Sequence, residues 1–189
     1  MIHILKGVLT AEESAALCAQ AFNTNFVEAA CEKLSRALWS DPVFQLRSRP
    51  AALFAPTLLR NGEALGGEAT EVRRADLGVF IFLSPPTDYD GGELILDVGW
   101  GAQSFKESAG SCVIAPAEAR VEFRTVACGA QWCARFFAQS LLRVAAERDI
   151  LYDVARAARY LEIFKGGTDP AAARLKSCED ALLRFWRES

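Results

Sequence analysis

The spacing of apolar residues changes twice along the chain and divides it into three stretches. Residues 1–50 begin with a short alternating segment and continue at helical spacing, residues 51–140 carry short β-branched or aromatic runs broken by turn residues, and residues 141–189 return to helical spacing. No linker, repeat or low-complexity tract separates them, so we expect a single domain over residues 1–189. The pattern predicts an α+β fold that is mainly β, with an N-terminal strand and helices before the β core and C-terminal helices after it.

Capping residues set the expected helix boundaries. Thr10-Ala11-Glu12-Glu13 has the spacing of a capping box and predicts the start of the first helix. A second helix is predicted from about Phe26 to Trp39, and Ser40-Asp41-Pro42 ends it. Asp169-Pro170 predicts the start of the last helix.

Turn residues indicate how the middle of the chain is paired. The strongest hairpin pattern joins Leu77 to Leu83 with Glu93 to Leu96, because the residues between them, 85–92, are rich in Pro, Asp and Gly. We therefore expect these two strands to be neighbours in one sheet.

Composition and charge exclude several classes of partner. The chain has 24 acidic and 21 basic residues, so it offers no basic surface for nucleic acid. No apolar run approaches the ~18 residues that a membrane-spanning helix needs, and the N-terminus lacks the pattern of a signal peptide. The six cysteines show no C-x-x-C spacing, which favours free thiols in a reducing compartment. We expect a cytoplasmic protein that binds neither nucleic acid nor membranes.

Motifs between residues 74 and 140 carry a family resemblance. They are Arg74-Ala75-Asp76-Leu77, Phe80-Ile81-Phe82-Leu83-Ser84, Tyr89-Asp90-Gly91-Gly92-Glu93-Leu94, Ala109-Gly110 and Gln139-Ser140. This stretch closely resembles the prolyl/lysyl-hydroxylase-domain (PKHD) type of iron(II)/2-oxoglutarate dioxygenase. The resemblance implies a double-stranded β-helix, or jelly roll, with helices around it. It also implies relatives that use Fe(II) and 2-oxoglutarate.

The same resemblance places unexpected residues at the family's functional positions. Glu68 and Thr70 fall where the H-x-D motif has its histidine and aspartate, Val121 falls at the second iron histidine, and Gln131 falls at the basic residue that binds 2-oxoglutarate. The chain has one histidine, His3, whereas this kind of iron site takes two imidazoles and a carboxylate. We therefore expect no catalytic residue, no metal site and no cofactor in this chain.

A pocket without iron could still hold a small molecule. The candidate ligand-binding residues are Glu68, Gln131 and Arg135, since period-two alternation would place the last two on one face of a strand. Arg135 could partly replace the missing cation, or its head could reach water or an acidic partner at the strand end. Cys133 shares their parity and could be a reactive thiol, but a thiol without a neighbouring histidine or clear cation is more often inert packing.

These observations favour a non-catalytic relative, or pseudoenzyme, that acts as an accessory or regulatory subunit of an active enzyme. The expected partner is an active dioxygenase paralogue or a second copy of the chain in a homodimer. Trp100, Phe185 and Trp186 are the interface candidates, because large aromatic side chains are enriched in interfaces between chains. Two alternatives stay open: an iron-independent enzyme or small-molecule binder that reuses the jelly-roll pocket, and an oxygenase whose site is completed by another chain.

Overall fold

A computed structural model describes residues 2–20, 24–65, 74–165 and 169–187. The helices are α1 (Ala11–Gln20), α2 (Thr24–Ser40), α3 (Pro42–Ser48), α4 (Ala145–Lys165) and α5 (Pro170–Arg187). The strands are β1 (His3–Leu5), β2 (Pro50–Leu53), β3 (Thr57–Arg60), β4 (Glu63–Leu65), β5 (Leu77–Phe82), β6 (Tyr89–Gly91), β7 (Leu94–Asp97), β8 (Ala102–Phe105), β9 (Cys112–Pro116), β10 (Arg120–Phe123), β11 (Val126–Gly129) and β12 (Trp132–Ser140).

The N-terminal helices begin where local side chains can satisfy their first amide groups. Thr10 and Glu13 form the predicted reciprocal capping box, with distances of 3.0 and 3.1 Å from each backbone nitrogen to the other residue's side-chain oxygen. Helix α2 ends at Ser40 as predicted, but Asp41 then accepts a hydrogen bond from the Phe44 amide at 2.7 Å and caps α3. Among the described helices, none combines the length and the apolar character needed to cross a membrane.

Within the described part of the chain, the larger sheet has seven antiparallel strands. Its order is β1-β9-β5-β12-β3-β4, and β2 pairs with the far end of β12. Strand β5 is buried at every position, because it lies in the middle of this sheet and is covered on both faces. Strands β3 and β4 form a hairpin through Asn61 and Gly62, whose positive φ angles of 53° and 83° suit a two-residue turn.

A second layer packs against one face of the large sheet. It contains the three-stranded sheet β10-β7-β8 and the pair β11-β6. The inter-sheet core between the layers includes Phe80, Phe82, Leu94, Leu96 and Cys133. The helix-side core, on the other face, joins the large sheet to α1, α2 and α3 through residues such as Leu17, Leu34, Phe44, Trp132 and Phe136. The prediction of a mainly β fold with flanking helices is confirmed.

The predicted hairpin between β5 and β7 is wrong. Strand β5 pairs with β9 and β12, whereas β7 pairs with β8 and β10 in the other layer. The Pro- and Gly-rich connection between β5 and β7 contains β6, which pairs with β11. The turn residues therefore mark a crossing from one layer to the other.

Candidate functional site

The site candidate Gln131 lies just before β12, where side chains from two distant turns hold the backbone. The Gln131 amide donates to Asn61 Oδ1 at 2.9 Å, and the Asn61 amide donates to the Gln131 carbonyl at 2.8 Å. Ser84 fixes the two flanking residues, because its hydroxyl donates to the Ala130 carbonyl at 3.2 Å and accepts from the Trp132 amide at 3.0 Å. The position of Gln131 is thus set by four hydrogen bonds that do not involve its side chain.

Gln131, Cys133 and Arg135 lie on the inter-sheet side of β12. Their neighbours Ala130 and Trp132 pack against the helix-side core, whereas Cys133 belongs to the inter-sheet core. Arg135 is two residues further along the same regular strand, opposite Phe80. The structure therefore brings the candidates Gln131 and Arg135 to one face, while the candidate Glu68 lies outside the described residues.

Several polar atoms on this side are buried without a hydrogen-bond partner among the described residues. They are both amide atoms of Gln131, the Tyr89 hydroxyl, one carboxylate oxygen of Glu93 and the Nε of Arg135. Burial raises the pKa of Tyr89 to about 12, with smaller contributions from nearby Cys133 and Glu93. Tyr89 therefore stays a neutral hydroxyl at physiological pH.

The thiol of Cys133 is poorly suited to nucleophilic chemistry. Its side chain is completely buried, and burial raises its pKa well above the ordinary value. Arg135 lowers that pKa only in part. Since the thiolate is the reactive form, Cys133 is a packing residue of the inter-sheet core.

Sequence reasoning missed Tyr89, Ser84 and Asn61 as residues that shape this site. Tyr89 enters the sequence analysis only as part of the Tyr89-Asp90-Gly91-Gly92-Glu93-Leu94 motif, and this motif has a structural basis. An added Cβ would lie 2.2 Å from the Thr125 carbonyl oxygen at Gly91 and 3.0 Å from the Tyr89 ring at Gly92. A tyrosine followed by two glycines was the available signal, because the glycines let another strand and the tyrosine ring approach closely.

Of the three positions expected to correspond to the family's iron ligands, Val121 alone lies among the described residues. Val121 lies on β10 opposite Leu96, is 36% exposed and offers no ligand atom. Glu68 and Thr70 lie outside the described residues. The sole histidine, His3, is on β1, where its Nε2 lies 3.3 Å from a carboxylate oxygen of Asp149. Within the described ranges, no group of three or more His, Cys, Asp or Glu residues is arranged to hold a metal ion.

The interface candidates differ in exposure. Trp100 is 95% exposed at the tip of the β7–β8 hairpin, and Phe185 is 69% exposed near the end of α5. Trp186 is partly buried and lines a cleft with Arg143 and Arg187. Trp100 and Phe185 are thus available for contact with another molecule.

Comparison with known proteins gives the family. No family model matches the chain. A PKHD-type hydroxylase from Caulobacter sp. (strain K31) is 33% identical over 165 residues, which cover 81% of this chain and 73% of the relative.

Solved structures show the same fold at low sequence identity. The viral collagen prolyl hydroxylase of Paramecium Bursaria Chlorella virus-1, in complex with 2-oxoglutarate, aligns with a TM-score of 0.53 and 12% identity over 74% of this chain and 95% of the viral one. HygX from Streptomyces hygroscopicus, with nickel and 2-oxoglutarate bound, aligns with a TM-score of 0.50 and 14% identity over 74% of this chain and 81% of HygX. These likenesses confirm the predicted jelly-roll fold.

The expectation that no cofactor is involved is contradicted by these findings. The relatives are hydroxylases, and HygX has been seen with nickel and 2-oxoglutarate and also with iron. The expectation failed because the histidine count of this one chain was used to exclude the cofactors of the family's reaction. One histidine limits the ligands that a single chain supplies, but it does not decide which cofactors the family's chemistry uses. With a third of its residues identical to those of a curated relative over most of both chains, the protein belongs to the PKHD-type hydroxylase family.

Proposed function

We propose that this member of the family is an accessory or regulatory subunit that acts together with an active PKHD-type paralogue. The observation that carries the proposal is that the sole histidine lies on β1 in the large sheet, beside Asp149, whereas Val121 lies on β10 in the three-stranded sheet. A facial triad of two imidazoles and one carboxylate needs histidines that this chain does not contain. The chain by itself is therefore non-catalytic in this proposal.

The proposal keeps the family's chemistry in use and assigns it to the partner. The paralogue carries the complete triad and performs the reaction with Fe(II) and 2-oxoglutarate. The chain described here contributes a folded jelly roll that stabilises, positions or regulates the active subunit. The likeness in fold supports only the architecture, whereas the proposed subunit role is inferred from the residues at the site.

The tip of the β7–β8 hairpin supports a role in protein contact. Trp100 is almost fully exposed, and the Gly99 amide donates to Asp97 Oδ1 at 2.8 Å, which fixes the loop beside it. Ala102 to Ser104 of β8 are exposed and uncharged, and among the described strands β8 pairs with β7 alone. An exposed edge without charged residues is suited to pairing with another chain.

Co-purification with the active paralogue from the same organism tests this proposal. We expect a defined hetero-oligomer by native mass spectrometry and a change in its rate of succinate release relative to the paralogue alone. We also expect no succinate release by the isolated chain supplied with Fe(II) and 2-oxoglutarate. Succinate release by the isolated chain, or a mixture that remains two separate species, would overturn the proposal.

A matched pair of variants locates the contact. Trp100→Ala should weaken the complex at least about tenfold, since an exposed aromatic anchor often contributes ~2 kcal/mol or more to binding. Trp39→Ala removes the same side chain from a half-exposed position on α2 and should leave the affinity unchanged. Equal effects of the two substitutions would exclude the β7–β8 tip as the contact.

We place the protein in the cytoplasm. None of its six cysteines, all of which are among the described residues, forms a disulfide bond. Such cysteine usage suits a reducing compartment. Cell fractionation followed by immunoblotting is the direct test, and recovery in a periplasmic or membrane fraction would reject this location.

A further inference from the structure

The C-terminal helices α4 and α5 form a hairpin. Four residues separate them in the sequence, and among the described elements α5 packs chiefly against α4, so the two helices run antiparallel. An ion pair between Glu162 and Lys176 joins them near the connection. The buried side of α4 consists of Arg148, Leu151, Ala155 and Ala158. The side of α4 next to these residues is the starting point for the inference.

Apolar residues follow this neighbouring side of α4, and a similar side of α5, at alternating spacings of four and three residues. On α4 the stripe is Ile150, Val154, Ala157, Leu161 and Phe164, and on α5 it is Ala171, Leu175, Cys178, Leu182 and Phe185. No charged residue interrupts either stripe. This spacing is the a/d pattern by which helices pack in coiled coils and four-helix bundles. Each helix thus carries a seam that suits packing on a further helix.

Both ends of this two-helix face are open to solvent. Phe164 and Phe185 are each 69% exposed, and Ile150 is 50% exposed. The Phe164 ring also packs on the Tyr160 ring, with ring centres 4.3 Å apart, so the end of α4 presents a block of two aromatic side chains. Contiguous exposed apolar surface of this kind is typical of a contact with another protein.

The size of the face fits a dimer. Helix α4 has 21 residues and α5 has 18. At ~1.5 Å per residue and ~10 Å across each helix, their shared face measures roughly 30 Å by 20 Å. Two copies packed face to face would bury roughly 1,200 Å² in total, which lies at the lower end of the range for stable dimers. This area predicts association in the micromolar range.

The charges beside the stripe on α4 are complementary to themselves. Asp153 and Arg156 are both exposed and lie about one turn apart on the outer rim of the helix. A two-fold axis perpendicular to the helices places α4 antiparallel to α4 of a second copy. Asp153 of each copy can then approach Arg156 of the other, whereas a rim of one sign would repel its own copy. The rim therefore favours a second copy of this chain as the occupant of the face.

We propose that the chain forms a homodimer in which the α4–α5 hairpins of two copies pack face to face as a four-helix bundle. In this dimer α4 lies antiparallel on α4 of the second copy, and α5 lies antiparallel on α5. The two stripes form the core of the bundle, and Asp153 and Arg156 lie at its rim. The homodimer does not depend on the subunit role. Its contact is on α4 and α5, whereas the contact proposed for the paralogue is at the β7–β8 tip, so either proposal can fail without the other.

Sedimentation equilibrium of the full chain tests the dimer. Between about 0.5 and 100 µM, we expect a monomer–dimer equilibrium with a dissociation constant of about 1–20 µM. Phe164→Glu should weaken the dimer at least about tenfold, because it places a carboxylate without a partner in the core of the bundle. A wild-type chain that stays monomeric over this range refutes the proposal, including a chain that uses this face only with the paralogue.

The neighbouring residue provides a matched control. Ile163 is 70% exposed and is the residue before Phe164, but it lies ~100° around the helix and off the stripe. Ile163→Glu should change the dissociation constant by less than about threefold, as expected of a surface change outside the contact. Equal effects of the two substitutions would exclude the stripe as the contact. Phe185→Glu, at the other end of the face, should act like Phe164→Glu, so the result does not depend on one variant.

Cys178 reports directly on the middle of the face. It is exposed in the single chain, and the proposed dimer covers it. At about 100 µM protein, N-ethylmaleimide should modify Cys178 at least about threefold more slowly in the wild type than in Phe164→Glu, because a covered thiol is less accessible. Peptide mass spectrometry follows the reaction, and Cys128, which is exposed on β11, should react equally fast in both proteins. A Cys178 that reacts equally fast in both would place any dimer contact elsewhere and refute the proposed bundle.

Discussion

Replacing Gly91 with alanine should destabilise the protein by much more than the change in backbone angle accounts for. Gly91 has a φ of 75°, and an added Cβ would lie 2.2 Å from the carbonyl oxygen of Thr125, the residue before β11. Gly7 provides a matched control, because it also has a φ of 75° but an added Cβ would meet nothing within 4 Å. The two substitutions share the backbone strain and differ in the steric contact.

The expected losses of stability follow from the backbone strain and from the steric contact. Alanine in the left-handed region costs about 1–2 kcal/mol relative to glycine, and this applies to both sites. At Gly91 the clash also separates β6 from β11, so we expect a further loss of about 2 kcal/mol from weakened backbone hydrogen bonds, each worth about 1 kcal/mol net. For a chain of this size each 1 kcal/mol lowers the melting temperature by about 2–4 °C.

Urea denaturation followed by tryptophan fluorescence measures both free energies of unfolding. Gly91→Ala should lose clearly more stability than Gly7→Ala, with similar slopes against urea. If the two variants agree within about 0.5 kcal/mol, the size expected of surface changes without such a contact, the close approach of β6 and β11 is refuted. The Tyr89-Asp90-Gly91-Gly92 motif would then need a reason other than packing.

Two further predictions concern the C-terminal helices. Burial lowers the pKa of His3 below 6.5, so its imidazole signal in proton NMR should titrate below that value, and Asp149→Asn should lower the pKa further by removing a stabilising carboxylate. The pKa of His3 is lower in the folded protein than in the unfolded chain, so the stability that His3 contributes is present above pH 6.5 and is lost as the pH falls from 6.5 towards the folded-state pKa. A measured His3 pKa at or above 6.5 in the folded protein would refute this. Glu179→Gln should lower the free energy of unfolding, measured by urea denaturation, by about 2 kcal/mol, because it leaves the mostly buried Arg49 guanidinium without its carboxylate. Glu32→Gln, in an exposed ion pair, is the control and should change that free energy little. Equal effects of the two substitutions would contradict the role of the buried pair.

Local signals in the sequence predicted the helices well. The capping box at Thr10 and the Asp169-Pro170 start were confirmed, since each depends on residues within one turn. Asp41-Pro42 was interpreted only as the end of α2, although the same pair of residue types starts α3. An aspartate before a proline satisfies the first amides of a following helix, so it marks a start as readily as a stop.

Long-range partners could not be predicted from spacing. The turn chemistry between β5 and β7 did not reveal that the chain crosses between layers there, because strand partners are chosen by packing across the whole core. The bonds that hold Gln131 join residues 70 and 48 positions apart in the sequence. Parity along β12 gave the shared face of Gln131 and Arg135, but nothing in the sequence linked that face to Tyr89.

The central place of β12 constrains how the chain can fold during synthesis. This strand pairs with β5 on one side and with β3 and β2 on the other, yet it is the last of the described strands to be synthesised. Until residue 140 has emerged, the strands on both sides have unpaired edges, and such edges invite aggregation. The large sheet can therefore be completed only after β12 has been synthesised. Chaperone binding before that point would protect the nascent chain from aggregation.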